Sequence, residues 1–230
     1  MNFLTKAVAA AALSLAPFSA VAAVLDFDSL TSSATPITTY SEDGFEFDVS
    51  FTSAGGAVGA AIFDSTCIGS AACGGDLDLK PLAQGDNGVE GNLLILQEAN
   101  RKVADDDVSA GTITLTLTSG PAFRFIGASV IDDTTFTFFD QLAGELSASL
   151  LGSISIGPEG NLAGGTGQIT FAQPSRIIGI GDSIVLGYGG SGGIDSLQLA
   201  AVPVPAALPL MLAGLGGLGL VARRRKTRAS

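Results

Sequence analysis

The chain has no histidine and no tryptophan, and only two cysteines and two tyrosines among its 230 residues. Without histidine there is no Ser-His-Asp or Cys-His catalytic arrangement and no histidine-ligated zinc or haem. Without tryptophan the largest aromatic platform for a sugar ring is missing. Glycine and proline, at 31 and 9 residues, exceed average usage but fall short of the roughly 25–30% that marks low-complexity chains, so neither disorder nor a collagen-like helix is expected. Charge is also sparse, at 14% of residues, whereas 47% are hydrophobic. That is enough, in a chain of this length, for the core of one domain.

Positive charge is nearly absent from the middle. Lys6 lies near the start, and Arg223, Arg224, Arg225, Lys226 and Arg228 crowd the end. This leaves Lys80, Arg101, Lys102, Arg124 and Arg176 against all twenty-two acids, a net of −17. No basic stripe is available to follow a phosphate backbone, which argues against nucleic acid as a partner. The carboxylate excess keeps an exported domain soluble and attracts cations.

Both ends read as targeting segments. Residues 1–23 have the layout of a secretory signal peptide: Lys6 before an apolar stretch from Ala7 to Ala16, then small residues at Ser19-Ala20-Val21-Ala22-Ala23. Cleavage is expected after Ala22 or Ala23, so that the mature chain starts near Val24 and an acidic domain occupies 24–200. From Val202 to Ala222 there is no charge, and a basic tail, 223–228, follows at once. A transmembrane helix over 205–222 would be about 27 Å long, close to the hydrocarbon thickness, with prolines where a first turn tolerates them. The basic end should stay cytoplasmic, which places the acidic middle outside.

The order Val202-Pro203-Val204-Pro205-Ala206, apolar helix, then Arg223-Arg224-Arg225 resembles the VPLPA variant of the PEP-CTERM sorting signals of Gram-negative bacteria, with Val204 at the variant's Leu. The resemblance covers about the last 28 residues, Val202 onward, within an expected sorting segment of 201–230. It implies a protein held transiently in the inner membrane, recognised near Pro203 and Pro205 by an exosortase-type membrane protease, and passed to the cell surface or extracellular matrix.

Two catalytic-looking motifs are set aside by context. Gly214-Leu-Gly216-Gly-Leu-Gly219 fits a dinucleotide fingerprint, but it lies inside the apolar segment with no strand before it. Gly189-Gly-Ser191-Gly-Gly193 fits a nucleophile elbow, but the serine has no histidine to activate it, so the stretch reads as a flexible turn.

Between the targeting segments the hydrophobic period is two. Phe45, Phe47, Val49 and Phe51 alternate with Glu46, Asp48 and Ser50, and Ile113, Leu115 and Leu117 alternate with threonines. Further strands are expected at 24–30, 60–64, 92–98, 122–132, 134–140, 145–150, 168–171, 176–180, 183–188 and 194–200. Asp132-Asp133 reads as a hairpin turn. About a dozen short strands separated by Gly, Asp, Asn and Ser, with thirteen phenylalanines to fill the interior, imply an all-β, jelly-roll-like antiparallel β-sandwich.

Cys67 and Cys73, in an exported chain, are expected to form a disulfide closing a seven-residue loop worth about 2.4 kcal/mol. Asp76 and Asp78 alternate on a Gly-rich stretch and, with Asp64 and Asp106, form a candidate calcium set of carboxylate oxygens; no other cofactor is expected. Ile62 to Ser65, Gly74 to Leu79, Gly91 to Glu98, Asp105 to Asp107 and Ser191 to Leu197 together resemble exported bacterial β-proteins of unknown function, a resemblance that implies no activity. Two function classes follow. One is a non-catalytic surface or matrix protein that binds polysaccharide or other surface components. The other is an extracellular hydrolase using two carboxylates at glycosidase spacing.

Overall fold

Alternating burial organises the chain into strands that each have one apolar face. The computed structural model describes residues 22–67, 79–81, 85, 87–106, 109–132, 136–140, 144–145, 148–151, 165–171 and 174–202, and in these the regular structure is all β, with no helix. The strands are β1 (Ala22–Leu25), β2 (Thr39–Glu42), β3 (Phe45–Ser53), β4 (Ala57–Asp64), β5 (Asn92–Glu98), β6 (Gly111–Ser119), β7 (Phe123–Ile131), β8 (Thr137–Asp140), β9 (Gly144–Glu145), β10 (Ala148–Leu151), β11 (Thr166–Phe171), β12 (Ser183–Tyr188) and β13 (Gly193–Ala201). They form two sheets. Sheet A runs β10-β11-β7-β13-β5-β4, with β1 also on β13; sheet B runs β2-β3-β6-β12-β8-β9. The arrangement is consistent with a β-sandwich, and Val21–Val202 form one compact unit.

Phe45, Phe47 and Val49 of β3 and Ile113, Leu115 and Leu117 of β6 point inward and are buried. Across the interior they meet sheet A: Phe123 of β7 lies edge-on to Phe45 and Phe47, at centroid distances of 5.5 and 6.1 Å. Phe125 and Phe171 pack on Phe138 of β8 in the same manner. Burial of each such ring stabilises the fold by about 1.5–3 kcal/mol, and the edge-to-face geometry adds to it.

Sheet A has a second apolar layer. On β5, Leu94 and Leu96 face the inter-sheet core. Leu93 and Ile95 face the other way, against Ala61, Phe63, Leu79, Val89, Ala104 and Ile131. Segments before and after β5 therefore cover its outer face.

β13 is the hub. It pairs with β7 along its length, with β5 at Gly193 and Ile194, and with β1 from Leu197 to Ala200. The register shifts between Asp195 and Gln198, where Ser196 takes a left-handed φ of 47°. A β-bulge of this kind bends the strand and re-aims its side chains.

Several expected elements differ. The strand expected at 24–30 stops at Leu25, and Phe27 turns the chain with φ 61°. Residues 176–180 form no strand; Ile178 alone bridges Phe123. The single strand expected at 145–150 is two, β9 on β8 in sheet B and β10 on β11 in sheet A. Asp132-Asp133 does not join a hairpin, because β7 belongs to sheet A and β8 to sheet B, so the chain crosses between sheets after Asp132 (φ 70°). β2 was not anticipated: Thr39-Tyr40-Ser41-Glu42 carries one apolar residue, and a period needs two.

Candidate functional site

The proposed calcium set divides along β5. Asp64 ends β4 opposite Asn92, and its carboxylate accepts the Thr66 backbone N–H at 2.9 Å and hydroxyl at 2.6 Å. Asp106 bridges Gln97, five residues further along β5, or about 16 Å away at strand rise. One cation cannot bind both. Asp106 is buried, and its Oδ2 accepts the Ser191 hydroxyl at 2.6 Å and the Gly192 N–H. Ser191 also reaches Asp132 Oδ2 at 3.2 Å. The glycine-rich stretch around Ser191, expected to be a loose turn, is thus pinned by carboxylates. Asp76 and Asp78 lie outside the described residues, among which no three His, Cys, Asp or Glu side chains gather to hold a metal. Cys73 lies outside them too; no free cysteine occurs among them.

A second acidic centre, unanticipated in the sequence, forms where the chain leaves β1. Glu42 Oε2 accepts the Tyr40 hydroxyl and the backbone N–H groups of Asp26, at 2.9 Å, and Phe27, at 3.4 Å. Burial raises the Glu42 carboxyl above its ordinary range, and the Asp26 charge adds to this. Burial likewise raises the Tyr40 phenol, helped by its hydrogen bond to Glu42. Asp28 accepts the Asn92 N–H at 2.8 Å, while the Asn92 amide donates to Phe27 and Leu30 carbonyls. The segment after β1 is thereby stitched to the start of β5. Gly91 has φ +67°, and a Cβ there would stand 2.0 Å from Asp28 Oδ1, so only glycine fits.

Asp195 lies fully buried on β13 at the bulge. Burial pushes its carboxyl up to about 7, against the pull of N–H donors from Glu90 at 3.0 Å and Ser196 at 2.5 Å; the charges of Asp28 and Asp26 push the same way as burial. The turn ahead of Glu90 caps this spot: Asn87 donates to Thr166, Ser129 to the Asn87 carbonyl, and Ser196 to the Gly88 carbonyl.

Sheet B presents a different surface. On β6, Thr112, Thr114, Thr116 and Thr118 point outward between the core-facing Ile113, Leu115 and Leu117. Their neighbours in register are Thr52, Ser50 and Asp48 on β3, and Gly187, Val185 and Ser183 on β12. Hydroxyls link across strands, Thr52 to Thr112 and Thr116 to Ser183, both at 2.8 Å. The result is a grid with a spacing of about 4.8 Å across strands and about 6.8 Å along them. At its edge a hollow of about 460 Å³ is lined by Leu30, Thr39, Ser41, Glu46, Asp48 and Thr118, among others. Glu46 and Asp48 sit two residues apart on one exposed strand face, and neither Glu42 nor Asp195 lines the hollow.

The end of the domain is tightly held. Ala201 lies opposite Phe123, and the Val202 N–H donates to the Ala122 carbonyl at 2.9 Å. On the other edge of β13, Ala200 faces Ala22 and Leu199 faces Ala23. Pro203, Pro205, Arg223, Arg224 and Arg225 lie outside the described residues, as do most of the expected signal peptide and the apolar stretch 205–222; within the described residues no helix is long and apolar enough to cross a membrane.

Residues 201–226 match the family model of the PEP-CTERM protein-sorting motif. The motif supports an exported protein that passes the membrane on its way to the cell surface. No curated protein and no solved structure matches the chain.

Proposed function

We propose that this chain is a non-catalytic surface or matrix protein, in which an acidic, jelly-roll-like β-sandwich is delivered by its C-terminal sorting motif and binds polysaccharide. The observation that carries this reading is the continuity of β13 with the motif, whose match begins at the strand's last residue, Ala201. The partner that goes with such a motif is an exosortase-type membrane protease acting near Pro203 and Pro205. The inner membrane serves as a transient station, and Arg223, Arg224 and Arg225 form the cytoplasmic stop. In this reading the motif is of the VPLPA type, and a Cys67–Cys73 disulfide staples the chain just beyond β4.

The polysaccharide assignment is supported by the outer face of sheet B. On β3 and β6, Ser50, Thr52, Thr112, Thr114 and Thr118 offer hydroxyl donors and acceptors at the strand repeat, which suits a polymer whose own hydroxyls repeat. The flanking Glu46 and Asp48 add negative charge, which favours a neutral polymer over an anionic one.

Two measurements test this reading. In a host carrying the sorting protease, the full chain is expected in the surface or matrix fraction, shortened at its C-terminus; deletion of 203–230 should leave it in the periplasm. Delivery unaffected by that deletion would sink the sorting role. Separately, S50A with T114A, which removes two facing hydroxyls without adding charge, should lower retention on insoluble neutral polysaccharide severalfold with a Tm changed by a few degrees at most. Equal retention by both proteins would remove the face from the account.

A further inference from the structure

The sorting motif and the folded domain overlap in sequence. Ala201, the first residue of the motif match, is the last residue of β13 and lies opposite Phe123. Val202 is also held, through its N–H, by Ala122 of the segment leading into β7. One residue earlier, Ala200 is paired with Arg124 of β7; its other neighbour, Ala22 of β1, belongs to the segment expected to leave with the signal peptide, so the β7 edge is the one that holds the strand end. Pro203 follows directly in the chain, so no linker separates the ladder from the residues at which processing is expected.

An enzyme that takes up an extended peptide does so by pairing with the peptide's own backbone N–H and C=O groups. At Ala200 and Val202 those groups are already turned toward β7, where the register and the Val202–Ala122 bond hold them. Proteases reach such a segment through a transiently opened state, at a rate set by the population of that state when closing is fast. We propose that the folded domain gates its own sorting: the membrane protease engages the chain only when the end of β13, residues 200–202, leaves β7. This rests on the sorting role proposed above and adds to it a dependence on the last strand. Sorting would then be fastest before the sheet closes, and slow for a domain already folded with its final strand in place.

The test is a pulse-chase measurement of processing for the full chain in membranes that contain the sorting protease. Insertion of a six-residue Gly-Ser stretch followed by a second Ala-Val pair, between Val202 and Pro203, frees the motif from the ladder while preserving the residues immediately before Pro203. Processing is expected to quicken roughly tenfold, the population change that follows from releasing two or three ladder hydrogen bonds. An equal or slower rate would overturn the gate. A second variant, R124C with A200C, joins residues that face each other in register, at a separation that suits a disulfide. Without added chain length, its oxidised form should be processed severalfold more slowly than its reduced form. Equal rates there would also overturn the proposal. If neither the parent chain nor the lengthened chain is processed at all, it is the sorting role that fails.

Discussion

The two sheets solve the same burial problem in opposite ways. Sheet B keeps one face wet along β3 and β6: β6 alternates threonine with Ile113, Leu115 and Leu117, and the β3 acids Glu46 and Asp48 stand in solvent. Sheet A is dry on both faces around β4 and β5, where a second cluster containing Leu93 and Ile95 lies outside the inter-sheet core. It also encloses a carboxyl, that of Asp195, at the bulge in its central strand. A sheet with a wet face has its register fixed by alternation, because a one-residue slip would bring every threonine into the core. A doubly covered sheet loses that guide, and polar side chains must hold the covering segments in place. Asn87, Ser129, Asp195 and Asn92 do so here.

The largest test of this contrast is the pH dependence of stability. Asp195 has its folded pKa raised from 3.8 to about 7. Such a carboxyl binds its proton more tightly in the folded state. The stability it contributes is therefore fully present below pH 3.8 and is lost as pH rises through 7. At about 1.4 kcal/mol per unit, the loss from pH 4 to pH 8 is expected to be on the order of 4 kcal/mol. D195N should flatten this slope in urea melts taken across that range, and an unchanged slope would show that the carboxyl titrates normally. A smaller contrast comes from exchanging the two sheets' chemistry. I95T, which puts a hydroxyl into the covered face of sheet A, should cost about 2–4 kcal/mol, whereas T114V, at the wet face of sheet B, should change stability by under about 0.5 kcal/mol. Equal costs would mean that the covering segments do not seal β5.

Legibility in the sequence follows the same division. β3 and β6 could be read because Phe45-Glu46-Phe47-Asp48-Val49 and the threonine alternation each expose one face. β5 was also found, at 92–98, but its unbroken apolar run Leu93-Leu94-Ile95-Leu96 does not reveal that a second layer covers it. Strand order was not legible: β13 is last in sequence yet central in sheet A, and only tertiary pairing decides that. The crossings between sheets after Asp132 and between β9 and β10 leave no mark that distinguishes them from a hairpin turn or a continuous strand. Of the candidate site, the hydroxyl face was half visible as threonines on β6, while its partners on β3 and β12 required the register. The Tyr40–Glu42–Asp26 centre was hidden because it joins residues from separate segments, and Asp195 because nothing local to Ile194-Asp195-Ser196 announces burial.

The smallest expected effect concerns calcium, and it sharpens where acids act in concert. Asp64 and Asp106 sit at opposite ends of β5. Calcium oxygens must lie within about 2.6 Å of one ion, so these two carboxylates cannot serve the same site. Any calcium-dependent rise in Tm that rests on Asp76 and Asp78 should therefore survive D106N unchanged, since the Asp106 carboxylate is occupied with Ser191 and Gly192. D64N, by contrast, alters the carboxylate that lies just before Cys67 and should reduce the rise by a few degrees at most. The check is a melt of each variant with calcium and then with EDTA. Loss of the calcium response in D106N would place the ion at the pinned glycine-rich loop instead, at the other end of β5 from Asp64.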